Sequence, residues 1–321
     1  MKQVSVICLV VPLLAIAQEP LRYESSIDAM GTTYTIAAYH FPKEQLQAGV
    51  EAALEEAQRL DHLLSNYRSE SEWSRVNRFA AERDVQVSQE LFDLIAACVN
   101  YSSQSEGSFD ITVGPLMRVW GFYKGSGHLP HGAEVRSAMG RVGYKNIILN
   151  AGNRTVRFRK PGVEMDPGGI GKGYAVDRMV EILKQEGIQS ALVTAGGSSI
   201  YAIGTPPGKT GWEVVIRHPK DRNIVVAKVT LKDQSMSTSG NYEKFFRVGR
   251  KTYSHIMDPR TGYPSQGMYS VSVVTPRCID SEAWAKPYYI LGRRWTALHK
   301  PKDFRAFLCE DKGEVACAWV K

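Results

Sequence analysis

Apolar residues recur at three- and four-residue steps in four stretches of the chain, a spacing that places them on one face of a helix. The first stretch covers residues 45–65. The second begins at Ser88, whose hydroxyl is well suited to cap the first turn of a helix. The third covers residues 172–186 and stops at Gly187, and a fourth, shorter stretch covers residues 281–291. We therefore predict four amphipathic helices.

Most other apolar residues alternate with polar ones or lie in short β-branched runs, and both patterns are typical of strands. The predicted strands are 32–39, 156–164, 191–194, 200–203, 212–217, 224–231, 269–274, 304–309 and 315–320. Because helices and strands do not alternate regularly, we predict an α+β fold with mixed, mainly antiparallel sheets flanked by helices. The chain has no repeat or obvious interdomain linker, so residues 18–321 are expected to form one domain.

The N-terminus has the pattern of a secretory signal peptide. Lys2 precedes an apolar run from Val4 to Ile16, and small residues around Ala17 supply a cleavage site. The run is shorter than a comfortable transmembrane helix. We expect cleavage near Ala17 and an exported, periplasmic protein; an N-terminal anchor or a buried first helix is the alternative hypothesis.

Composition narrows the possible partners. A hydrophobic fraction of 43% suffices for a large core and excludes a disordered chain. The net charge of +7 comes from scattered lysines and arginines, which disfavours nucleic-acid binding but suits a phosphate-bearing ligand. Cys98, Cys278, Cys309 and Cys317 lack zinc-binding spacing. An exported protein can hold a disulfide, but isolated cysteines in apolar segments are more often core residues, so we expect them in the core and assign no pair.

The densest candidate site is Asp166-Pro-Gly-Gly-Ile-Gly-Lys-Gly-Tyr-Ala-Val-Asp177, which leads from a predicted strand into a predicted helix. Glycine lets backbone amides approach an anion, and a helix N-terminus adds a favourable dipole, so this segment is suited to phosphate. It is not a Walker A loop, because Asp166 and Gly173 stand where that motif has its first glycine and its Ser/Thr. Taken alone, an ordinary glycine turn explains the segment equally well.

Three more segments hold residues suited to binding or catalysis. Ala195-Gly196-Gly197-Ser198 follows a predicted strand and permits close backbone approach, and Ser239-Gly240-Asn241-Tyr242 is a second polar turn. The third segment, 253–262, contains His255, whose imidazole is suited to take the proton of a hydroxyl nucleophile. From that segment alone, a structural histidine beside a turn is the simpler interpretation.

Together and in this order, these motifs resemble the ApbE family of FAD:protein FMN transferases. The resemblance includes Met30-Gly31-Thr32, the segment 64–77 around Tyr67 and the segment 107–121 around Asp110, and it extends to at least Gly292. It implies an ApbE-like, T-fold-like arrangement of helices and sheets with FAD in a cleft and Mg²⁺ near the diphosphate. A Thr or Ser hydroxyl of an acceptor protein would attack the FMN-side phosphorus, and AMP would leave.

The resemblance also implies a role for each residue that matches a family motif. His255 would be the base. The residues expected to bind FAD are Met30, Tyr67, Asp110, Asp166, Lys172, Gly196, Gly197, Ser239 and Gly240. The positions expected at the metal are Gly171, Glu282 and Lys286.

The metal site departs from the family pattern. Where the family has Asp-Ala-Leu-Ala-Thr-Ala, this chain has Glu282-Ala-Trp-Ala-Lys286-Pro287, so Glu282 replaces the metal-binding Asp and Lys286 the metal-binding Thr. Lysine offers Mg²⁺ no acceptor atom. Three hypotheses follow: the Lys286 ammonium replaces the metal charge, the protein binds FAD without efficient turnover, or Lys286 points to solvent while Mg²⁺ binds with more water. Ser198 and Pro167 are smaller departures.

Three functions fit these motifs. The first is transfer of FMN from FAD to an acceptor protein, which is the function we expect. The second is an FAD pyrophosphatase, in which water replaces the acceptor hydroxyl and free FMN and AMP form at the same site. The third is a non-catalytic periplasmic FAD-binding protein.

Overall fold

The structure is a computed structural model that describes residues 20–40, 42–125, 127–249 and 251–321. The predicted signal peptide, residues 1–17, lies outside these ranges. Within them, the helices are all too short or too polar to cross a membrane.

Seven α-helices lie in the described residues. Their bounds are α1 Lys43–Leu64, α2 Glu72–Phe79, α3 Gln89–Gln104, α4 Gly114–Val119, α5 Gly132–Met139, α6 Gly171–Gln185 and α7 Cys278–His299. The strands of the first half are β1 Leu21–Ala29, β2 Thr32–His40, β3 Val85–Gln86, β4 Ile147–Asn150, β5 Thr155–Phe158, β6 Ser190–Ala195, β7 Ser199–Ile203 and β8 Trp212–Arg217. Those of the second half are β9 Val225–Leu231, β10 Gln234–Gly240, β11 Phe245–Val248, β12 Lys251–Ser254, β13 Met257–Asp258, β14 Tyr263–Pro264, β15 Met268–Thr275, β16 Arg305–Asp311 and β17 Val315–Trp319.

An eight-stranded sheet forms the centre of the fold. Its strand order is β1-β2-β6-β7-β10-β15-β16-β17, and every neighbouring pair is antiparallel. Helices α1, α6 and α7 pack on one face, while the β8–β9 hairpin covers part of the other. The predicted α+β fold with mainly antiparallel sheets is therefore confirmed.

The alternation of side chains along the strands explains this layering. In β6, Val193 packs with α1 and α6, whereas its neighbour Leu192 packs on the opposite side with the β8–β9 hairpin. Successive side chains of a strand point to opposite faces, so β6, which is covered on both faces, has apolar residues on both. A further core, centred on Trp73, Tyr288 and Phe158, fills the space between α7, α2, α3 and the small β3-β5-β4 sheet.

Helices α6 and α7 meet at their N-terminal ends, and two features allow this contact. The Asp177 carboxylate of α6 accepts hydrogen bonds from the first amides of α7, Cys278 N at 2.7 Å and Ile279 N at 2.9 Å. Gly173 permits the approach, because a Cβ there would lie 2.5 Å from Cys278 O and 2.9 Å from Glu282 Cβ. This contact sets the position of Glu282 relative to the first turn of α6.

Several predicted boundaries were wrong for physical reasons. The strand predicted at 156–164 ends at Phe158, because Pro161 and Gly162 turn the chain. The helix predicted at 281–291 runs from Cys278 to His299 across a break at Gly292 (φ 76°, ψ −177°). Strand β10 was missed because serine and threonine fill it; its Ser237 Oγ lies 2.7 Å from Ser281 Oγ of α7.

The expectation that the four cysteines are isolated core residues was wrong for two of them. Cys309 and Cys317 face each other across the antiparallel β16–β17 ladder and form a disulfide. Their spacing in sequence does not show that they are cross-strand partners, since that depends on the register of the hairpin. Cys98 and Cys278 are free and buried, as expected.

The disulfide is expected to stabilise the C-terminal edge of the sheet. Because it closes a short loop (sequence separation 8), replacing both cysteines with alanine should lower the free energy of unfolding by about 2–3 kcal/mol. Urea unfolding monitored by tryptophan fluorescence measures this change. A reductant should lower the stability of the parent protein and leave the double variant unchanged. Equal stability of parent and variant without reductant would contradict the prediction.

Candidate active site

A cavity of about 430 Å³ opens beside the N-termini of α6 and α7, at the ends of strands in the central sheet. Eleven predicted site residues line it: Met30, Tyr67, Asp110, Asp166, Lys172, Gly196, Ser239, Gly240, His255, Glu282 and Lys286. The other two lie next to the wall. Gly171 is buried, and a Cβ there would lie 2.7 Å from Met30 Cε, while Gly197 follows Gly196 in an exposed turn. The fold thus gathers residues from distant parts of the chain at one cavity.

The glycine-rich loop enters α6 along one wall of the cavity. Asp166 holds its start: Oδ1 accepts a hydrogen bond from Gly168 N at 2.8 Å, and Oδ2 accepts one from the Tyr123 hydroxyl at 2.8 Å. Burial raises the pKa of Asp166 above its ordinary value, partly opposed by these two hydrogen bonds. Asp166 therefore shapes the loop, which leaves the first turn of α6 facing the cavity.

Glu282 of α7 sits at that first turn. Its side chain is 2% exposed, and Oε2 accepts a hydrogen bond from Gly173 N. Oε1 is buried and makes no hydrogen bond to the described residues; it faces two ammonium groups, Lys172 Nζ at 3.5 Å and Lys286 Nζ at 3.7 Å. A carboxylate at a helix N-terminus is favourable, and here it also draws two lysines to one point.

Lys286 points into the cavity, so the hypothesis that it points to solvent is wrong. Its Nζ donates a hydrogen bond to Glu282 O at 2.9 Å, one helical turn earlier. Its Cε lies 3.8 Å from the position of a Cβ on Gly169, so the stem runs beside the glycine loop. Burial lowers the pKa of Lys286 to about 8, while Glu282 opposes that shift. The ammonium is therefore mostly charged at neutral pH.

His255 follows β12 on another wall. Its backbone N–H donates to Lys244 O at 3.0 Å, and ring Nδ1 lies 3.2 Å from the same oxygen. A proton on Nδ1 satisfies that carbonyl and leaves the lone pair on Nε2. Burial lowers the pKa of His255 to about 4, and the positive charges of Lys172, Lys244 and Lys286 act in the same direction. The imidazole is therefore neutral at pH 7, which leaves Nε2 unprotonated.

Two tight turns line another part of the cavity. Met30 (φ 51°) and Gly31 (φ 71°) connect β1 to β2, and Gly196 (φ 57°) and Gly197 (φ 67°) connect β6 to β7. The turns touch, because a Cβ on Gly196 would lie 2.2 Å from Thr32 Oγ1. Glycine is thus required at Gly196 by both its backbone conformation and its close neighbour.

Asp110 lines the cavity, but its carboxylate oxygens already accept hydrogen bonds from other parts of the protein. Oδ1 accepts hydrogen bonds from Thr112 N at 2.7 Å and Thr112 Oγ1 at 2.6 Å, and Oδ2 accepts one from Tyr144 N at 2.6 Å. Burial raises the pKa of Asp110, and these hydrogen bonds lower it. Its side chain therefore positions the loop around Tyr144 and presents little free acceptor capacity to a ligand.

Sequence reasoning missed several residues of the wall. Tyr123 binds Asp166 and makes an edge-to-face contact with Tyr67, at a centroid distance of 6.4 Å, and Tyr67 itself is 79% exposed. Asn66 donates to Asp166 Oδ2 at 3.2 Å, and Lys244 lies beside His255. Tyr123 and Asn66 are far from Asp166 in sequence, so no local pattern indicates these contacts.

Comparisons with known proteins identify the family of the chain. Residues 30–308 match the ApbE family. The FAD:protein FMN transferase of Klebsiella pneumoniae is 32% identical over 301 residues, covering 91% of this chain and 85% of that protein. The enzyme of the same name from Salmonella typhimurium is 29% identical over 305 residues, with the same coverage.

Solved structures of ApbE proteins are similar to this chain in fold. The crystal structure of the ApbE protein from Thermotoga maritima has a TM-score of 0.85 and 30% identity, covering 92% of this chain and 96% of that one. The apo flavinyl transferase ApbE of Pseudomonas stutzeri has a TM-score of 0.83 and 28% identity, covering 95% and 96%. The chain therefore belongs to the ApbE family.

Proposed function

We propose that this protein transfers FMN from FAD to a Thr or Ser hydroxyl of another protein and releases AMP. The observation that carries the proposal is the convergence of the glycine loop, two lysines and a neutral histidine at one cavity, in a chain of the ApbE family. The names of the relatives, FAD:protein FMN transferase, support the same activity.

The cavity offers complementary surfaces for the parts of FAD. The diphosphate is expected at the start of α6, where backbone amides, the helix dipole, Lys172 and Lys286 all favour an anion. Met30 and the exposed ring of Tyr67 supply apolar and aromatic surface for the flavin or nucleotide. The turn at Gly196–Gly197 and the end of strand β10 at Ser239–Gly240 bring backbone to the cavity wall. Asp110 and Asp166 contribute by fixing the loops around the ligand.

The reaction requires one bond to form and one to break at the FMN-side phosphorus. The acceptor oxygen attacks that phosphorus, and the bond to the bridging oxygen of the diphosphate breaks, so that this oxygen leaves with AMP. Nε2 of His255 takes the hydroxyl proton. Such transfer depends mainly on positioning and on cations that stabilise the charge of the phosphoryl group.

The residues at the expected Mg²⁺ position do not fit that ion. Mg²⁺ requires several oxygen ligands in near-octahedral geometry. Here one oxygen of Glu282 binds Gly173 N, the other faces the ammonium groups of Lys172 and Lys286, and Lys286 itself offers no acceptor atom. We therefore assign no step of the reaction to Mg²⁺.

Export to the periplasm is also part of the proposal. The N-terminal charge, apolar run and small residues support a cleaved signal peptide. The Cys309–Cys317 disulfide supports an oxidising compartment, because disulfides persist there and are rare in the cytosol.

The function is tested by incubating the purified protein with FAD and an unflavinylated exported flavoprotein. Transfer predicts covalent flavin fluorescence on the acceptor, a mass increase of one FMN, and one AMP released per flavin attached. Substitution of the acceptor's modified threonine by valine should abolish all three signals. Free FMN and AMP without acceptor labelling would identify hydrolysis instead, and bound FAD with no product would contradict both activities.

His255 is expected to act on the rate and not on FAD binding. Replacing it with alanine should slow FMN transfer by about 10²–10⁴-fold, because the hydroxyl loses its proton acceptor. Single-turnover transfer at saturating FAD measures this rate, and fluorescence quenching measures FAD affinity. His62→Ala, on the exposed side of α1, is the control and should transfer at the parent rate. A His255→Ala variant with normal transfer would exclude it as the base.

The lowered pKa of His255 predicts that FMN transfer remains efficient at mildly acidic pH. Because that pKa is lowered to about 4, the base form persists well below pH 6.5, the ordinary histidine value. The second-order rate constant kcat/KM for FAD, which reports groups of the free protein, should therefore stay nearly constant from about pH 7.5 to about pH 5.5 and fall only nearer pH 4. A rate that halves near pH 6.5 would show that the base titrates as an ordinary histidine.

A further inference from the structure

Lys286 holds its ammonium group where a bound diphosphate is expected. The hydrogen bond from Nζ to Glu282 O at 2.9 Å fixes the end of the side chain, and the stem passes beside Gly169. The side chain is 21% exposed, so this exposed part faces the cavity that it lines. An ammonium has three N–H donors, and the bond to Glu282 O uses one. The others remain for oxygen atoms of a ligand.

The charges around Glu282 favour ammonium groups over a divalent cation. One carboxylate faces two ammonium groups, at 3.5 Å for Lys172 and 3.7 Å for Lys286, so the group has one excess positive charge. A divalent ion at Oε1 would stand next to both like charges, which disfavours it strongly in a partly buried site. The same two ammonium groups attract the diphosphate of FAD.

The contact between the first turn of α6 and α7 also positions Glu282 and Lys286. Because Gly173 has no side chain, α7 comes close enough for Glu282 Oε2 to accept a hydrogen bond from Gly173 N. That hydrogen bond directs Oε1 towards both lysines. Glu282 and Lys286 are four residues apart in one helix, a spacing at which opposite charges meet. The longer side chains at these two positions thus supply a fixed cation from the protein itself.

We propose that the Lys286 ammonium is the fixed cation of this site and that the protein binds FAD and transfers FMN without a divalent metal ion. Lys286 would contact the diphosphate oxygens and stabilise the charge that accumulates on the departing AMP phosphate. Glu282 holds Lys286 in place and does not act as a metal ligand. The transfer step of this inference rests on the proposed function, whereas the binding step does not.

The test measures FAD affinity and FMN transfer in excess EDTA and in millimolar Mg²⁺. The parent protein should show the same affinity and rate, within about twofold, in both conditions. Lys286→Met keeps the length of the stem but removes the charge, and it should weaken FAD binding by about tenfold or more, with no recovery in Mg²⁺. Lys228→Met, on an exposed position of β9, is the matched control and should behave as the parent.

A second variant tests the same inference in the opposite direction. Glu282→Asp combined with Lys286→Thr restores the pair expected of the family, so Mg²⁺ should raise its FAD affinity or rate by about tenfold. Circular dichroism and thermal unfolding establish that each variant is folded.

The outcomes separate this inference from the proposed function. Parent protein whose FMN transfer falls by about tenfold in EDTA and recovers in Mg²⁺ would overturn the inference while supporting transfer. Equal FAD binding in both conditions, with loss on Lys286→Met but no product with any acceptor, would support the inference and contradict the proposed function. Parent protein that binds no FAD in either condition would overturn both.

Discussion

The buried Glu282 carboxylate is the constraint on which the site depends. It can reach Gly173 N only because Gly173 has no side chain to separate α6 from α7. Its second oxygen then gathers Lys172 and Lys286 beside the glycine loop. A buried carboxylate is costly unless charges and hydrogen bonds satisfy it, so the three groups depend on one another. Packing of two helices thereby fixes the charge at the centre of the cavity.

That charge connects the fold to the proposed chemistry. The central sheet supplies rigid turns at Met30–Gly31 and Gly196–Gly197, the helix contact supplies cations, and the segment after β12 supplies a neutral imidazole. Phosphoryl transfer demands little more of a protein than such positioning and charge stabilisation. The difference from the family pattern lies in the source of the cation, which here is a lysine of the chain.

Local patterns predicted the features that depend on local interactions. The spacing of apolar residues gave α1 and α6 to within a few residues, and glycine density gave the loop at Asp166. Features that depend on distant partners were missed or misjudged. Strand β10 is polar because its hydroxyls bond to α7, the Cys309–Cys317 pair depends on hairpin register, and the direction of Lys286 depends on how α7 meets the glycine loop.

The most direct test of the account is a crystal structure of the protein with FAD, grown in the presence of Mn²⁺, whose anomalous scattering marks any bound ion. The account predicts Lys286 Nζ within hydrogen-bonding distance, roughly 2.7–3.2 Å, of a diphosphate oxygen, with no anomalous peak beside Glu282. An anomalous peak coordinated by Glu282 and the diphosphate, with Lys286 turned away, would contradict it.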